Sequence, residues 1–236
     1  MYQRKRDVNT YPPAKPNGDT NRSQTDIEIA LAREFGFERN IIAFNVQGIS
    51  WILPLFHECD MVVVSMKSHL LTEIEIKRSW TDFCADFKKE HHHENHGAIE
   101  TSSFWYAIPE GFYEKAIAKL NEELIIPTGI ITYDEDLVMK HHTCIRSHCP
   151  ENEGKWGRVS TYSYDGHNSL TCEEVEKGVK SGRYFKIDVV SKEKKPIRLY
   201  SHNAHPLFTE QLLEIARLGC MRQVSLRERI SKLEKD

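Results

Sequence analysis

The 236-residue chain lacks an uninterrupted apolar run long enough to cross a bilayer, and its opening Met1-Tyr-Gln-Arg-Lys-Arg is too polar for the core of a secretory leader. The expectation is a cytosolic protein. It also lacks any excess of positive charge: 32 Lys and Arg stand against 35 Asp and Glu, for a formal net charge of −3. That counts mildly against a tight, nonspecific DNA binder and leaves room for an enzyme whose acidic site is compensated by metal and a local basic rim. No internal repeat is present. The six cysteines, Cys59, Cys84, Cys144, Cys149, Cys172 and Cys220, follow no secreted-scaffold spacing, so reduced thiols are expected. With 39% hydrophobic and 28% charged residues, the composition is that of a globular protein able to bury a sizeable core.

What the chain does have is a patterned centre. Residues 1–23 carry Pro12, Pro13 and Pro16 without periodicity and read as a flexible arm. A helix is expected from about Asp26 to Phe35, capped by Thr25 and closed by Gly36, and a strand over Asn40–Val46. Two apolar-rich strands follow back to back. The first opens Asp60-Met-Val-Val-Val, and the second, Thr72-Glu-Ile-Glu-Ile-Lys77, alternates strictly. Glu73, Glu75 and Lys77 then share one face while Ile74 and Ile76 enter a core. Ser79 caps a second helix with an apolar stripe at Trp80, Phe83, Cys84 and Phe87. A buried strand over Ser103–Ile108, a helix over Tyr113–Asn121 and a strand over Leu124–Tyr133 complete a mixed α/β order. Beyond it, 140–205 is expected as an annex, with a hairpin at Asp165-Gly166 and a capping box at Thr171-x-x-Glu174. Two C-terminal helices, about Glu210–Leu218 and Leu226–Lys235, are expected to break at Gly219. They carry Arg217, Arg222, Arg227, Arg229 and Lys232, a set more suited to a solvated helix face than to phosphate docking.

An Asp opening one strand, beside a Glu and a Lys two residues apart on the next, can gather two carboxylates and an ammonium around one point. That trio suits a magnesium-dependent phosphodiesterase, in which hard oxygens hold the ion and the lysine meets the attacking water or the phosphate. Taken alone, Glu-x-Lys is more often a solvated strand face. Glu28 has two readings: Thr25-x-x-Glu28 is itself a capping box, yet Glu28, Leu31 and Phe35 share a helical stripe. Glu73 reads as a rim residue, and Asp82 and Asp86 as a solvated face of the second helix. The tract His91, His92, His93 and His96 reads as a loop. His141, His142, Cys144, His148 and Cys149 form a weaker candidate for zinc, since Cys-x4-Cys is wide for a zinc knuckle.

On His57-Glu-Cys-Asp60, Glu73-Ile-Glu-Ile-Lys77, Ser79-Trp-Thr-Asp-Phe-Cys-Ala-Asp-Phe-Lys-Lys and Phe104-Trp-Tyr-Ala-Ile-Pro-Glu-Gly, the chain resembles the PD-(D/E)XK nuclease superfamily. More narrowly, it resembles the MmcB-like DNA-repair group and its phage-encoded relatives. The resemblance covers roughly residues 25–133 and departs from the literal motif in having no proline before Asp60. It implies a restriction-endonuclease-like core over 24–139, with the annex at 140–205 and the terminal helices at 206–236 outside it. It also implies a metal-dependent nuclease acting on DNA. Asp60, Glu75 and the carbonyl of Ile76 would bind Mg²⁺ or Mn²⁺, Lys77 would assist the water or the phosphate, and Glu28 stands where many members keep a further acid. The alternative is a nuclease fold without catalysis, serving as a nucleic-acid-binding or accessory module.

Overall fold

The computed structural model describes residues 17–47, 58–88, 101–146, 158–163, 166–187, 197–199 and 204–233. The chain is α/β. A helix α1 (Gln24–Phe35) leads into the antiparallel strands β1 (Asn40–Gln47), β2 (Glu58–Ser65) and β3 (Leu71–Ile76). Helix α2 (Trp80–Asp86) carries the chain over to β4 (Thr101–Pro109), which lies parallel to β3. Helix α3 (Tyr113–Glu123) makes a second crossover, by way of the short β5 (Ile125–Ile126), to β6 (Gly129–Tyr133), parallel to β4. Next come β7 (Met139–Arg146), β8 (Arg158–Ser163), β9 (Gly166–Thr171), helix α4 (Cys172–Lys180), β10 (Tyr184–Ile187), β11 (Ile197–Arg198) and the long helix α5 (Thr209–Leu233). Seven strands form one mixed sheet in the order β1-β2-β3-β4-β6-β7-β10.

Strand alternation sorts the core into two faces. Ile74 and Ile76 of β3 join Met61, Trp105, Ala107 and Tyr133 on one face, where Ile27, Leu31 and Phe35 of α1 cover them. The opposite face carries Phe104, Tyr106 and Ile108 under Phe83 of α2 and Ala116 and Leu120 of α3. Val62, Val64 and Leu71 extend that face towards β1, where Leu207 and Ile215 cover them. Because helices cover both sides, every residue of β3 is buried, and truncating Ile74 to Ala would cost about 2–5 kcal/mol.

Three expectations change. Helix α1 is capped by Ser23 rather than Thr25: Ser23 accepts the amide of Asp26, and Asp26 returns a bond to the Ser23 amide. The C-terminal helices are a single 25-residue helix. Gly219 does not break it: the helix runs on through this residue while packing against β1. The boundary expected at 140 falls inside β7, and both β7 and β10 extend the central sheet. The hairpin expected around Asp165-Gly166 is present as the β8–β9 pair, and Thr171 with Glu174 forms the expected capping box.

Candidate functional site

Asp60 lies where the β1–β2 ladder lacks one pair although the register continues unchanged on both sides. The β1–β2 register passes from Phe44↔Met61 to Val46↔Cys59, and Asn45 between them takes a positive φ of 47°. On the other side, the β2–β3 ladder ends at Met61↔Ile74. One step further, the Asp60 carboxylate takes over the role of a backbone carbonyl: its Oδ2 accepts the Ile76 amide at 2.8 Å. The side chain is thereby fixed against β3 beside Glu75. Burial, then the charge of Glu75, push the Asp60 carboxyl up to about 7, while the Ile76 amide and Lys77 pull the other way.

Glu75 and Lys77 lie on the α2 face, one pleat step apart. Glu75 is 5% exposed and Lys77 2%, so the solvated-face reading of Glu-x-Lys fails here. The Lys77 ammonium sits 2.8 Å from Glu75 Oε1 and 3.0 Å from Asp86 Oδ1. Burial works against the ammonium, but Glu75 and Asp86 outweigh it and raise its pKa above the ordinary lysine range. The Lys77 carbonyl accepts the Tyr133 hydroxyl at 3.0 Å, and its amide donates to the Ala107 carbonyl at 2.9 Å, so the backbone beneath the ammonium is also pinned.

Asp86 is the residue that the sequence pattern misses. Helical spacing alone puts it on a solvated face with Asp82. Asp82 is exposed, but Asp86 has no exposure and also receives the Tyr106 hydroxyl at Oδ2, 3.1 Å away. Its position three residues after Phe83 and one before Phe87 is the available signal, since that places it at the margin of the aromatic stripe. Glu73, expected at the rim, is fully buried beside Cys59. Burial first, then Glu73 and Glu75, push the Cys59 thiol well up, so it stays protonated and is no nucleophile.

Glu28 is not part of the Glu75–Lys77 network. It is buried on α1, whose apolar stripe covers the Ile74/Ile76 face, and its Oε1 accepts from Gln24 at 3.1 Å and Asn45 at 3.3 Å. With Ser23 as the cap, capping no longer accounts for Glu28. Through Asn45 it approaches the Asp60 end of the sheet. Of the zinc candidates, the two histidines on β7 do not converge. His141 and His142 are neighbours on β7 and point to opposite faces: His141 meets Glu34 at 3.2 Å, and His142 meets Thr132 at 2.9 Å and the Gly182 carbonyl. His148, Cys149 and the tract His91, His92, His93 and His96 lie outside the described residues.

Among the described residues no three His, Cys, Asp or Glu side chains converge as a closed metal cage. Asp60 and Glu75 nevertheless offer hard carboxylate oxygens from adjacent strands, and Ile76, whose carbonyl the resemblance implies as a ligand, is tied to Asp60 through its amide. This donor set fits Mg²⁺, which is commonly held by one or two carboxylates with water and substrate phosphate completing its shell. The pair of acids would offer a hard cation two carboxylate oxygens, and the fixed ammonium beside them carries one positive charge. The chain matches no family model, no curated protein and no solved structure.

Proposed function

We propose that the chain is a Mg²⁺- or Mn²⁺-dependent nuclease that hydrolyses DNA phosphodiester bonds, with a restriction-endonuclease-like core, in DNA repair or phage DNA metabolism in a bacterial cytoplasm. One observation supports it above the rest: Asp60 is locked onto β3 by the Ile76 amide next to Glu75, with the Lys77 ammonium 2.8 Å from the same Glu75. That is the trio named by the motif, assembled at one strand end. Asp60 and Glu75 would hold the ion, with the Ile76 carbonyl as a further oxygen. The ion supplies an acidified water and neutralises charge on the phosphate. Lys77 holds its proton, carries one positive charge, and orients the water or the developing phosphorane charge through hydrogen bonds. Burial excludes bulk water and strengthens each of these contacts.

Purified protein incubated with plasmid, linear duplex and single-stranded DNA, with Mg²⁺, Mn²⁺ or EDTA, tests the reading. Metal-dependent cleavage abolished by EDTA is expected; a folded protein that cuts none of these substrates under any condition ends it. A second reading, a nuclease fold acting as a binding or accessory module, is favoured by the net charge of −3 and by the open donor set. Calorimetric titration of Mn²⁺ into wild type and Asp60→Asn separates the two. A catalytic site loses binding in the variant, and a bare scaffold binds in neither.

A further inference from the structure

Asp86 stands where local physics disfavours it. It is the last residue of α2, at the negative end of the helix dipole, and that last turn carries no basic residue. Its surroundings are aromatic: Phe83 and Phe87 pack edge to face at 5.0 Å between ring centres, and Phe83 meets Tyr106 at 5.2 Å. A leucine would suit such a wall, whereas a fully buried carboxylate must lose its water. What the carboxylate gains is two directed bonds. Tyr106 donates to Oδ2, which fixes the plane of the group, and Oδ1 then faces the Lys77 ammonium at 3.0 Å. Tyr106 is itself fully buried, and burial followed by Asp86 and Glu75 pushes its phenol well up, so it remains a donor.

We infer that Asp86, oriented by Tyr106, is a positioning residue that gives the Lys77 ammonium a second anchor besides Glu75 and so aims it at the scissile phosphate. This rests on the nuclease reading above and adds to it a residue outside the motif. Lys77 has three N–H bonds. Glu75 takes one and Asp86 takes another from a different element, which leaves the third with a defined direction. With Glu75 as sole anchor, the ammonium would swing towards Glu75 and Asp60 and compete with the cation for their oxygens. An anchor on α2 limits the lysine to one Glu75 oxygen and leaves Asp60 to the ion.

The test measures kcat, KM for DNA and Mn²⁺ affinity for wild type, Asp86→Asn and Tyr106→Phe, each also combined with Lys77→Ala, with folding followed by circular dichroism. Asp86→Asn should lower kcat about 10- to 100-fold and leave KM within about threefold, because the contact it tunes strengthens as charge builds on the phosphate in the transition state. Tyr106→Phe, which keeps the ring and is the milder change, should lower kcat about three- to tenfold and serves alone where Asp86→Asn does not fold. In the Lys77→Ala background both effects should shrink to less than about twofold, since a residue acting through Lys77 has nothing left to position. Wild-type kcat in a folded Tyr106→Phe or Asp86→Asn, or equal losses with and without Lys77, would overturn the positioning role while leaving the nuclease reading intact. A wild-type protein that cuts nothing overturns both together.

Discussion

The Asp60 carboxylate closes the end of β3 by accepting the Ile76 amide at 2.8 Å, so a side chain stands in for a strand neighbour. That bond holds the acid close to Glu75, and the two charges repel. The same contact that builds the site therefore makes it costly for the fold when no cation is present.

The consequence is a measurable pH dependence. The Asp60 carboxyl is raised from 3.8 to about 7, so the folded chain binds this proton more tightly than the unfolded chain does. Its contribution is fully favourable below the unfolded value, fades as pH rises between the two, and is lost above the folded one. Asp60→Asn keeps an oxygen for the Ile76 amide and removes the charge. In EDTA the variant should melt about 3–8 °C above wild type at pH 8, with the gap closing towards pH 4.5. Thermal scans at both pH values decide it, and a variant melting lower at pH 8 would show that the Asp60–Glu75 repulsion is not felt.

Lys77 and Glu75 should separate by phenotype. Lys77→Ala removes no metal ligand, so Mn²⁺ affinity should not fall, while the cleavage rate drops about 100- to 1000-fold, the scale for one preorganised charge. Its fold should also suffer: Glu75 and Asp86 are left buried around a missing cation, at a cost of about 3–5 kcal/mol. From the alternating strand alone Lys77→Ala is expected to leave the fold nearly untouched, and the burial of both faces reverses that expectation. Glu75→Ala should instead weaken Mn²⁺ binding and rate together. Calorimetry, denaturant unfolding and cleavage assays on the two variants check the split; equal loss of metal affinity in both would remove Lys77 from its role.

The central strands and their order are legible because β2, β3 and β4 carry unambiguous signals: a valine run, a strict alternation, and an aromatic stretch ended by Pro109. Asp60, Glu75 and Lys77 can be picked out because a motif fixes their spacing within or across adjacent strands. Asp86 is hidden because its partner lies nine residues away on another element, and helical periodicity alone cannot say that Tyr106 and Lys77 wait beneath it. Gly219 misleads for a related reason. A glycine within a helix normally weakens it, but here packing of the neighbouring Leu212, Ile215 and Leu218 with Ala43 and Val46 of β1 outweighs the propensity loss, a tertiary effect absent from the local pattern. The extension of the sheet by β7 and β10 is likewise invisible, since β10 pairs with β7 across an intervening hairpin and helix.

Gly129 tests the packing on which the parallel strands depend. It lies across from Trp105 in the β4–β6 ladder, and a Cβ at this position would come within 2.1 Å of the indole ring. Trp105 is fully buried, among Ile74, Ile76, Ala107 and Ile131. Gly129→Ala gains backbone order but forces the ring out of place, and the second effect should win by about 1–3 kcal/mol. Urea unfolding should show a lower midpoint with an unchanged slope, and a midpoint equal to wild type would mean that the indole repacks freely.

Glu28 decides how far the site reaches. Its carboxylate accepts from Gln24 and Asn45, and Asn45, with its positive φ, lies opposite Asp60 at the pair missing from the β1–β2 ladder. In this geometry Glu28 holds Asn45 opposite Asp60, and under the nuclease reading it would support the site from behind without donating an oxygen to the ion. Glu28→Gln keeps a carbonyl oxygen for either amide and removes one charge. Mn²⁺ affinity should therefore stay within about threefold of wild type, where loss of a coordinating carboxylate would cost far more. Glu28→Ala also removes the acceptor, and it should lower both stability and cleavage by loosening Asn45 opposite Asp60. A Glu28→Gln variant that loses Mn²⁺ binding as fully as Asp60→Asn would make Glu28 a direct ligand and overturn the supporting role.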